Sequence, residues 1–313
     1  MRIVFMGTPE FAVPSLNILV ENGYEVVAVV TATDKYGGRG GKQLIESAVK
    51  KYALEKNLPI IQPEKLKSPE FVNQLEALKP DLQVVVAFRM LPEIVWSLPR
   101  IGTFNLHGSL LPKYRGAAPI NWAIIKGEKE TGVTTFFITH EIDTGDILMQ
   151  EKISIGENET AGELHDRMMF LGAETVLKTV KMIESGQYIL QKQNEAEVSK
   201  APKIFHETCK INFEQSAGQV HNFIRGLSPY PAAWTMLGEE QLKIYRSRKI
   251  AAAHTLPPGT IQTDSKDYLK IATLDGFVEI LELQLQGRKR MDVKSFLNGF
   301  GVKLQNITPN KPA

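Results

Sequence analysis

Cysteine is almost missing from this chain: Cys209 is the only one, so an internal disulfide is excluded. With no cysteine neighbour it offers no metal cluster either, and the expected reading is a small buried apolar residue and no metal. Long apolar runs are also absent. Met1 and Arg2 lead directly into the short run Ile3 to Met6, and no later segment approaches the ~18 uninterrupted apolar residues of a membrane span. A soluble, cytoplasmic protein with no membrane partner is expected. Strong charge of either sign is lacking: 37 Lys and Arg against 35 Asp and Glu leave a net +2. Nucleic-acid binding would therefore have to come from local patches rather than a global field. Glycine is scarce where a dinucleotide site would need it. The first strand-to-helix turn, Gly7-Thr8-Pro9-Glu10-Phe11, holds a single glycine, which disfavours NAD or FAD and reads as a tight turn.

What is present is ordinary globular material. With 313 residues, 43% hydrophobic and 23% charged, the chain is expected to fold as two domains. Up to about Gly186, apolar runs of strand length alternate with amphipathic segments, as in βαβ units around a mostly parallel sheet. Ile3 to Met6, Val26 to Val30, Leu82 to Ala87 and Thr103 to His107 read as strands. Phe11 to Asn22, Glu46 to Lys56 and Ala161 to Glu184 read as helices. The polar stretch Gln191 to Pro202 reads as a linker. Beyond it a helix, Ala217 to Leu227, precedes short strand-like runs at Ala232 to Leu237, Gln241 to Tyr245, Gly259 to Thr263, Tyr268 to Thr273 and Phe277 to Leu285. Asp275-Gly276 between the last two is a hairpin signal. The fold expected is α/β: a Rossmann-like N-terminal domain over 1–189, a linker over 190–207, and a small OB-like β-barrel over 208–313.

Two segments could carry chemistry. In Phe104-Asn105-Leu106-His107 the polar residues alternate with apolar ones, so an extended strand projects Asn105 and His107 to one side. At the carboxyl end of a sheet strand they would stand where open α/β sheets bind ligands, although an internal hydrogen-bonding pair would share the spacing. Downstream, Glu141-Ile142-Asp143-Thr144-Gly145-Asp146 follows the strand-like run Val133 to Thr139. A carboxylate there could orient a histidine, or the segment could be a solvated acidic turn.

Together these segments resemble the 10-formyltetrahydrofolate-dependent formyltransferases, whose catalytic set is an Asn, a His two residues later, and an Asp in a downstream DTGD-like turn. The matching residues are Asn105, His107 and Asp143. GTPEFA at Gly7 to Ala12, GSLLPKYRGAAPI at Gly108 to Ile120 and IRGLSPYPAAW at Ile224 to Trp234 resemble the branch of that family that acts on methionyl-tRNA. The resemblance implies 10-formyltetrahydrofolate as formyl donor, initiator methionyl-tRNA as acceptor, and a monomer. It also places the folate against Ser109, Leu110, Leu111 and Pro112. Arg39 and Lys42, in the glycine-rich loop Asp34 to Gln43, correspond to the family's tRNA-contacting loop. Arg115, Arg225 and Arg246 are further candidates for tRNA contact, though such charges also make solvated faces or surface salt bridges.

Two other readings remain at this level. An enzyme of the same family that formylates glycinamide ribonucleotide or an amino sugar nucleotide would use the same Asn, His and Asp. It would have no evident need for a C-terminal domain bearing Lys203, Lys210, Arg225, Lys243, Arg246, Arg248 and Lys249. A non-catalytic RNA-binding protein would explain that domain, but would leave Asn105, His107 and Asp143 without a task.

Overall fold

The computed structural model describes residues 1–37, 41 and 43–304; Arg39 and Lys42 lie outside the described residues. Strands and helices are numbered in chain order. Among the described residues nine strands precede residue 155: β1 (Arg2–Gly7), β2 (Glu25–Val30), β3 (Lys35–Gly37), β4 (Gln43–Ile45), β5 (Ile60–Ile61), β6 (Leu82–Val86), β7 (Gly102–His107), β8 (Glu130–Phe137) and β9 (Ile147–Ser154). Six follow it: β10 (Ala233–Leu237), β11 (Glu240–Ala251), β12 (Ile261–Thr263), β13 (Leu269–Ala272), β14 (Gly276–Leu285) and β15 (Met291–Asp292). The helices are α1 (Val13–Glu21), α2 (Ala48–Glu55), α3 (Pro69–Ala77), α4 (Glu93–Trp96), α5 (Pro119–Ile125), α6 (Ala161–Ser185), α7 (Ala217–Leu227) and α8 (Val293–Leu304). None of them, among the described residues, is long and apolar enough to cross a membrane.

The chain forms two compact units. The first comprises Met1–Gly116, Thr131–Ile153 and His165–Lys200; the second comprises Ala117–Glu130, Ser154–Leu164 and Ala201–Ala313.

In the first unit a seven-stranded sheet runs in the order β5-β2-β1-β6-β7-β8-β9. β1 pairs in parallel with β2 and β6, β6 in parallel with β7, and β7 antiparallel with β8. Ile3, Val4, Phe5 and Met6 are all fully buried, as a strand covered on both faces requires. One face packs Val4, Met6, Val27, Val30 and Val85 against Phe71, Val72 and Leu75 of α3. The chain leaves β1 on one side, toward β2, and returns on the other as β6. The carboxyl ends of β1 and β6 therefore border a switch point, where such sheets open a crevice, and β7 ends beside β6. Gly7 at the end of β1 is needed for packing, since an added Cβ would lie 2.7 Å from Ala12 Cβ and 3.0 Å from Val86 O. Behind β7 lies α6, whose Gly172 sits so near Leu106 that a Cβ would come within 2.7 Å of Leu106 Cδ2.

The second unit is built on an antiparallel sheet in the order β10-β11-β14-β13-β12, with β15 on β14. Among the described residues no ladder joins β10 to β12, and the antiparallel sheet is consistent with the small OB-like barrel expected here. A register shift between Ile244 and Ser247 lets β11 run for twelve residues while reversing which side faces in. Leu242 and Ile244 are buried before it and Ser247 after it, which turns Arg246 and Arg248 outward. α7 starts at a capping box of Ser216 and Gln219, and its first amide donates to Asp275 Oδ1 at 2.7 Å. Asp275 thus serves both the hairpin and the helix. The core joins Val220, Ile224 and Leu227 of α7 to Leu242, Ile244, Val278, Ile280 and Leu283 of the sheet.

Arg225 and His221 are among the polar residues buried in this unit. The Arg225 guanidinium donates to Asn222 Oδ1 at 2.9 Å, Gly156 O at 3.1 Å and Glu159 O at 3.0 Å. His221 has Ser247 Oγ at 3.0 Å from Nδ1 and Glu157 O at 3.4 Å from Nε2. A carbonyl only accepts, so Nε2 carries the proton and Ser247 donates to Nδ1 in the neutral ring. Burial first, and then the neighbouring Arg225, push the His221 pKa down from 6.5 to about 4. Lys249 acts in the same direction, opposed by Glu157. The unfolded chain then binds a proton that the folded chain refuses, so stability is complete above pH 6.5 and falls as the pH drops toward about 4. We expect the unfolding free energy of His221→Gln to gain roughly 3 kcal/mol relative to wild type over that window. Urea unfolding at several pH values measures this, and a difference that does not change with pH would contradict it.

Candidate active site

β7 ends one strand from the switch point with Asn105 and His107 on one side of the strand, as their spacing predicts. His107 is 6% exposed, while Asn105 is half-buried, and its side chain makes no hydrogen bond among the described residues. His107 Nε2 stands 2.9 Å from Tyr114 O. That carbonyl can only accept, so Nε2–H donates and the ring's free edge is Nδ1. Facing it at 3.7 Å is Asp143 Oδ2. The same oxygen accepts the Gly116 amide at 2.9 Å. One loop thus supplies both anchors: Tyr114 fixes the far side of the imidazole, and Gly116, two residues on, fixes the carboxylate.

The backbone is held in costly conformations here. Asp143 and Tyr114 have φ of 59° and 61°, a region that side chains other than glycine seldom occupy. Such conformations persist where the surroundings enforce them, and they cluster at functional sites. In the Asp143 turn the enforcement is visible. Gly145 lies so close to β8 that an added Cβ would fall 1.6 Å from Phe137 O. Gln193 Nε2 donates to Asp143 O at 2.8 Å and to Gly145 O at 2.9 Å. The Gln193 carbonyl oxygen in turn accepts from Arg115 Nε at 3.0 Å and Nη2 at 2.8 Å. Arg115 also forms a two-pronged pair with Glu195, at 2.7 and 3.2 Å. That pair holds the Glu195 carboxyl below its usual range.

Gln193 was not legible as a site residue, because it sits in the polar stretch read as a linker. That stretch is bonded along the first unit. Gln191 exchanges two backbone bonds with Ile147, and Ser199 accepts the Tyr114 amide on its hydroxyl and the Arg115 amide on its carbonyl. A polar, aperiodic segment carries no sign of which groups it will meet.

The Ser109 to Pro112 segment is tied from below by Thr134 and Gln150. Thr134 Oγ1 donates to Ser109 O at 2.6 Å and accepts from Leu111 N at 3.1 Å, while Gln150 Nε2 donates to Leu111 O at 2.8 Å. The Ser109 hydroxyl donates to Lys113 O at 2.6 Å. Ser109, Leu111 and Pro112 are buried, Leu111 against Phe136 and Ile147, and Leu110 alone of the four is half-buried.

The cationic candidates differ in setting. Arg115 has a side chain only 12% exposed and is committed to Gln193 and Glu195. Arg225 is 4% exposed and belongs to the second unit's interior. Arg246 is 45% exposed and pairs with Glu163 at 2.5 Å. A surface pair of that kind contributes about 0 to 1 kcal/mol, little enough for a phosphate to displace it.

Residues 1–180 match the formyl transferase family, and residues 203–301 match the formyl transferase C-terminal domain. A methionyl-tRNA formyltransferase of Parabacteroides distasonis is 54% identical over 310 residues, covering 96% of each chain. One of Porphyromonas gingivalis is 50% identical, again over 96% of each. Among solved structures, a sugar 3N-formyl transferase crystallised with dTDP and 5-N-formyl-THF superposes with a TM-score of 0.66 at 23% identity, over 92% of this chain and 99% of that one. The latter likeness concerns the fold. By the match of both units, the chain belongs to the formyl transferase family.

Proposed function

We propose that this protein transfers the formyl group of 10-formyltetrahydrofolate to the free amino group of initiator methionyl-tRNA, making N-formylmethionyl-tRNA for translation initiation. The observation that carries this reading is the identity of 50 to 54% with methionyl-tRNA formyltransferases over 96% of the chain. It acts as a monomer in the cytoplasm, where aminoacyl-tRNA is found. Residues 1–189 supply the chemistry and 208–313 the hold on tRNA.

In the reaction the amine nitrogen attacks the formyl carbon and the formyl oxygen becomes an oxyanion. Asn105 donates one hydrogen bond to it. His107, acting in its doubly protonated form, donates a second from Nδ1–H, because its Nε2–H is committed to the Tyr114 carbonyl. Asp143 faces the same Nδ1, keeps the ring oriented, and assists loss of the amine proton. Collapse of the tetrahedral intermediate breaks the bond between the formyl carbon and folate N10, and N10 takes up a proton that balances the one lost by the amine. Direct transfer fits the one cysteine of the chain, Cys209, whose thiol burial pushes up and so keeps unreactive. Leu110 offers the exposed apolar surface of the folate segment, with Ser109, Leu111 and Pro112 shaping it from below. The phosphates meet Arg39, Lys42 and Arg246, while Arg115 and Arg225 act through the loops they hold.

The tRNA side of this reading is tested by Arg39→Ala/Lys42→Ala. Loss of two phosphate contacts is expected to weaken use of methionyl-tRNA and make its salt dependence shallower by roughly two in log–log slope, with folate affinity unchanged. An unchanged slope and efficiency would contradict it.

A further inference from the structure

β3 and β4 form a two-stranded sheet of their own, with Lys35 opposite Ile45, Tyr36 opposite Leu44 and Gly37 opposite Gln43. A lone ribbon is marginally stable in water, and this one buries little. Tyr36 is 75% exposed, Leu44 48% and Ile45 52%. Its own packing therefore does not set its direction, and its two feet must.

Asp34 stands just before β3 and Glu46 just after β4. Both carboxylates bond the same ammonium, Lys50 Nζ in the first turn of α2, with Glu46 at 2.8 Å. The Lys50 side chain is 14% exposed, unusually covered for a lysine. The other Asp34 oxygen accepts from Gln62 Nε2 at 2.8 Å, and Gln62 also donates to Ala32 O at 2.7 Å. Ser47 caps α2 through the Lys50 amide at 3.0 Å, and its hydroxyl meets Thr31 Oγ1 at 2.7 Å. The helix that carries the lysine is thereby fixed to the strand end from which the ribbon departs.

We infer that Lys50 is a positioning residue that latches both feet of the ribbon and so sets the direction in which β3 and β4 are presented to tRNA. The functional half of this inference rests on the reading above that the Asp34 to Gln43 loop meets tRNA. Without the ammonium, two carboxylates face each other across the base and their repulsion spreads it. The pairing holds Asp34 below and Lys50 above their usual ranges, so the latch stays charged through neutral pH.

The test uses the full chain. Lys50→Met is expected to speed amide hydrogen exchange in β3 and β4 while leaving β1 protected. If the ribbon then holds its working direction a tenth of the time, KM for methionyl-tRNA rises about tenfold, with kcat and folate affinity unchanged. Lys50→Arg should restore both readouts. Adding Asp34→Asn and Glu46→Gln to Lys50→Met removes the repulsion and should recover part of the KM. Wild-type exchange and KM in Lys50→Met would overturn the latch, as would loss of protection extending to β1. Faster ribbon exchange with an unchanged KM would overturn the positioning role. If Arg39→Ala/Lys42→Ala then also kept a wild-type KM, the fault would lie with the tRNA reading of the loop.

Discussion

Replacing His107 or Asn105 with alanine is expected to lower turnover about 100-fold or more, the usual consequence of removing one oxyanion donor. The loss should appear in kcat with binding of folate nearly kept, because in the proposed mechanism the donors act on charge that exists only in the transition state. Asp143→Asn should be comparably damaging. It preserves the side-chain shape that receives the Gly116 amide but removes the charge facing His107 Nδ1. Steady-state kinetics on folded variants measure all three. Near-wild-type turnover in either alanine variant would remove that residue from the mechanism, and an unaltered rate and pH profile for Asp143→Asn would remove Asp143.

Arg225→Met is expected to cost roughly 3 kcal/mol of stability, since hydrogen bonds from a charged donor contribute about 1.5 to 3 kcal/mol each and these acceptors are only partly buried. Three acceptors lose their partner: Asn222 Oδ1, Gly156 O and Glu159 O. Desolvation of the guanidinium, which also lowers its pKa, offsets part of the loss when the charge is removed. The salt dependence of tRNA use should be unchanged in the refolded variant. Stability near that of wild type, together with a salt slope shallower by about one, would instead make Arg225 a phosphate contact.

The reach of the sequence is clearest in β1 and β7. Ile3 to Met6 is apolar at every position because both faces are covered, and the alternation of Phe104 and Leu106 with Asn105 and His107 gave the side from which the polar pair projects. The Asp143 turn was legible as a motif, but not its anchoring. Tyr114 contributes a main-chain carbonyl, which any residue possesses, and Gln193 reaches the turn from a segment with no periodicity. β11 was seen only to Tyr245, because the register shift there reverses the inward and outward pattern on which the reading depends. α3 went unread although Ser68 caps it and Pro69 opens it, since its buried face of Phe71, Val72 and Leu75 is only two turns long. Charge was least legible. Arg115, Arg225 and Arg246 look alike in sequence, and only burial separates two internally committed guanidiniums from one at the surface.

The central claim is that the Asn105, His107 and Asp143 site formylates the amine of methionyl-tRNA. It is tested most directly by supplying the purified chain with 10-formyltetrahydrofolate and, in parallel, methionyl-tRNA, glycinamide ribonucleotide and an amino sugar nucleotide. The account predicts N-formylmethionyl-tRNA in step with released tetrahydrofolate, and kcat/KM far below this for the two small acceptors. Binding of methionyl-tRNA without formylation, or a preference for either small acceptor, would contradict it.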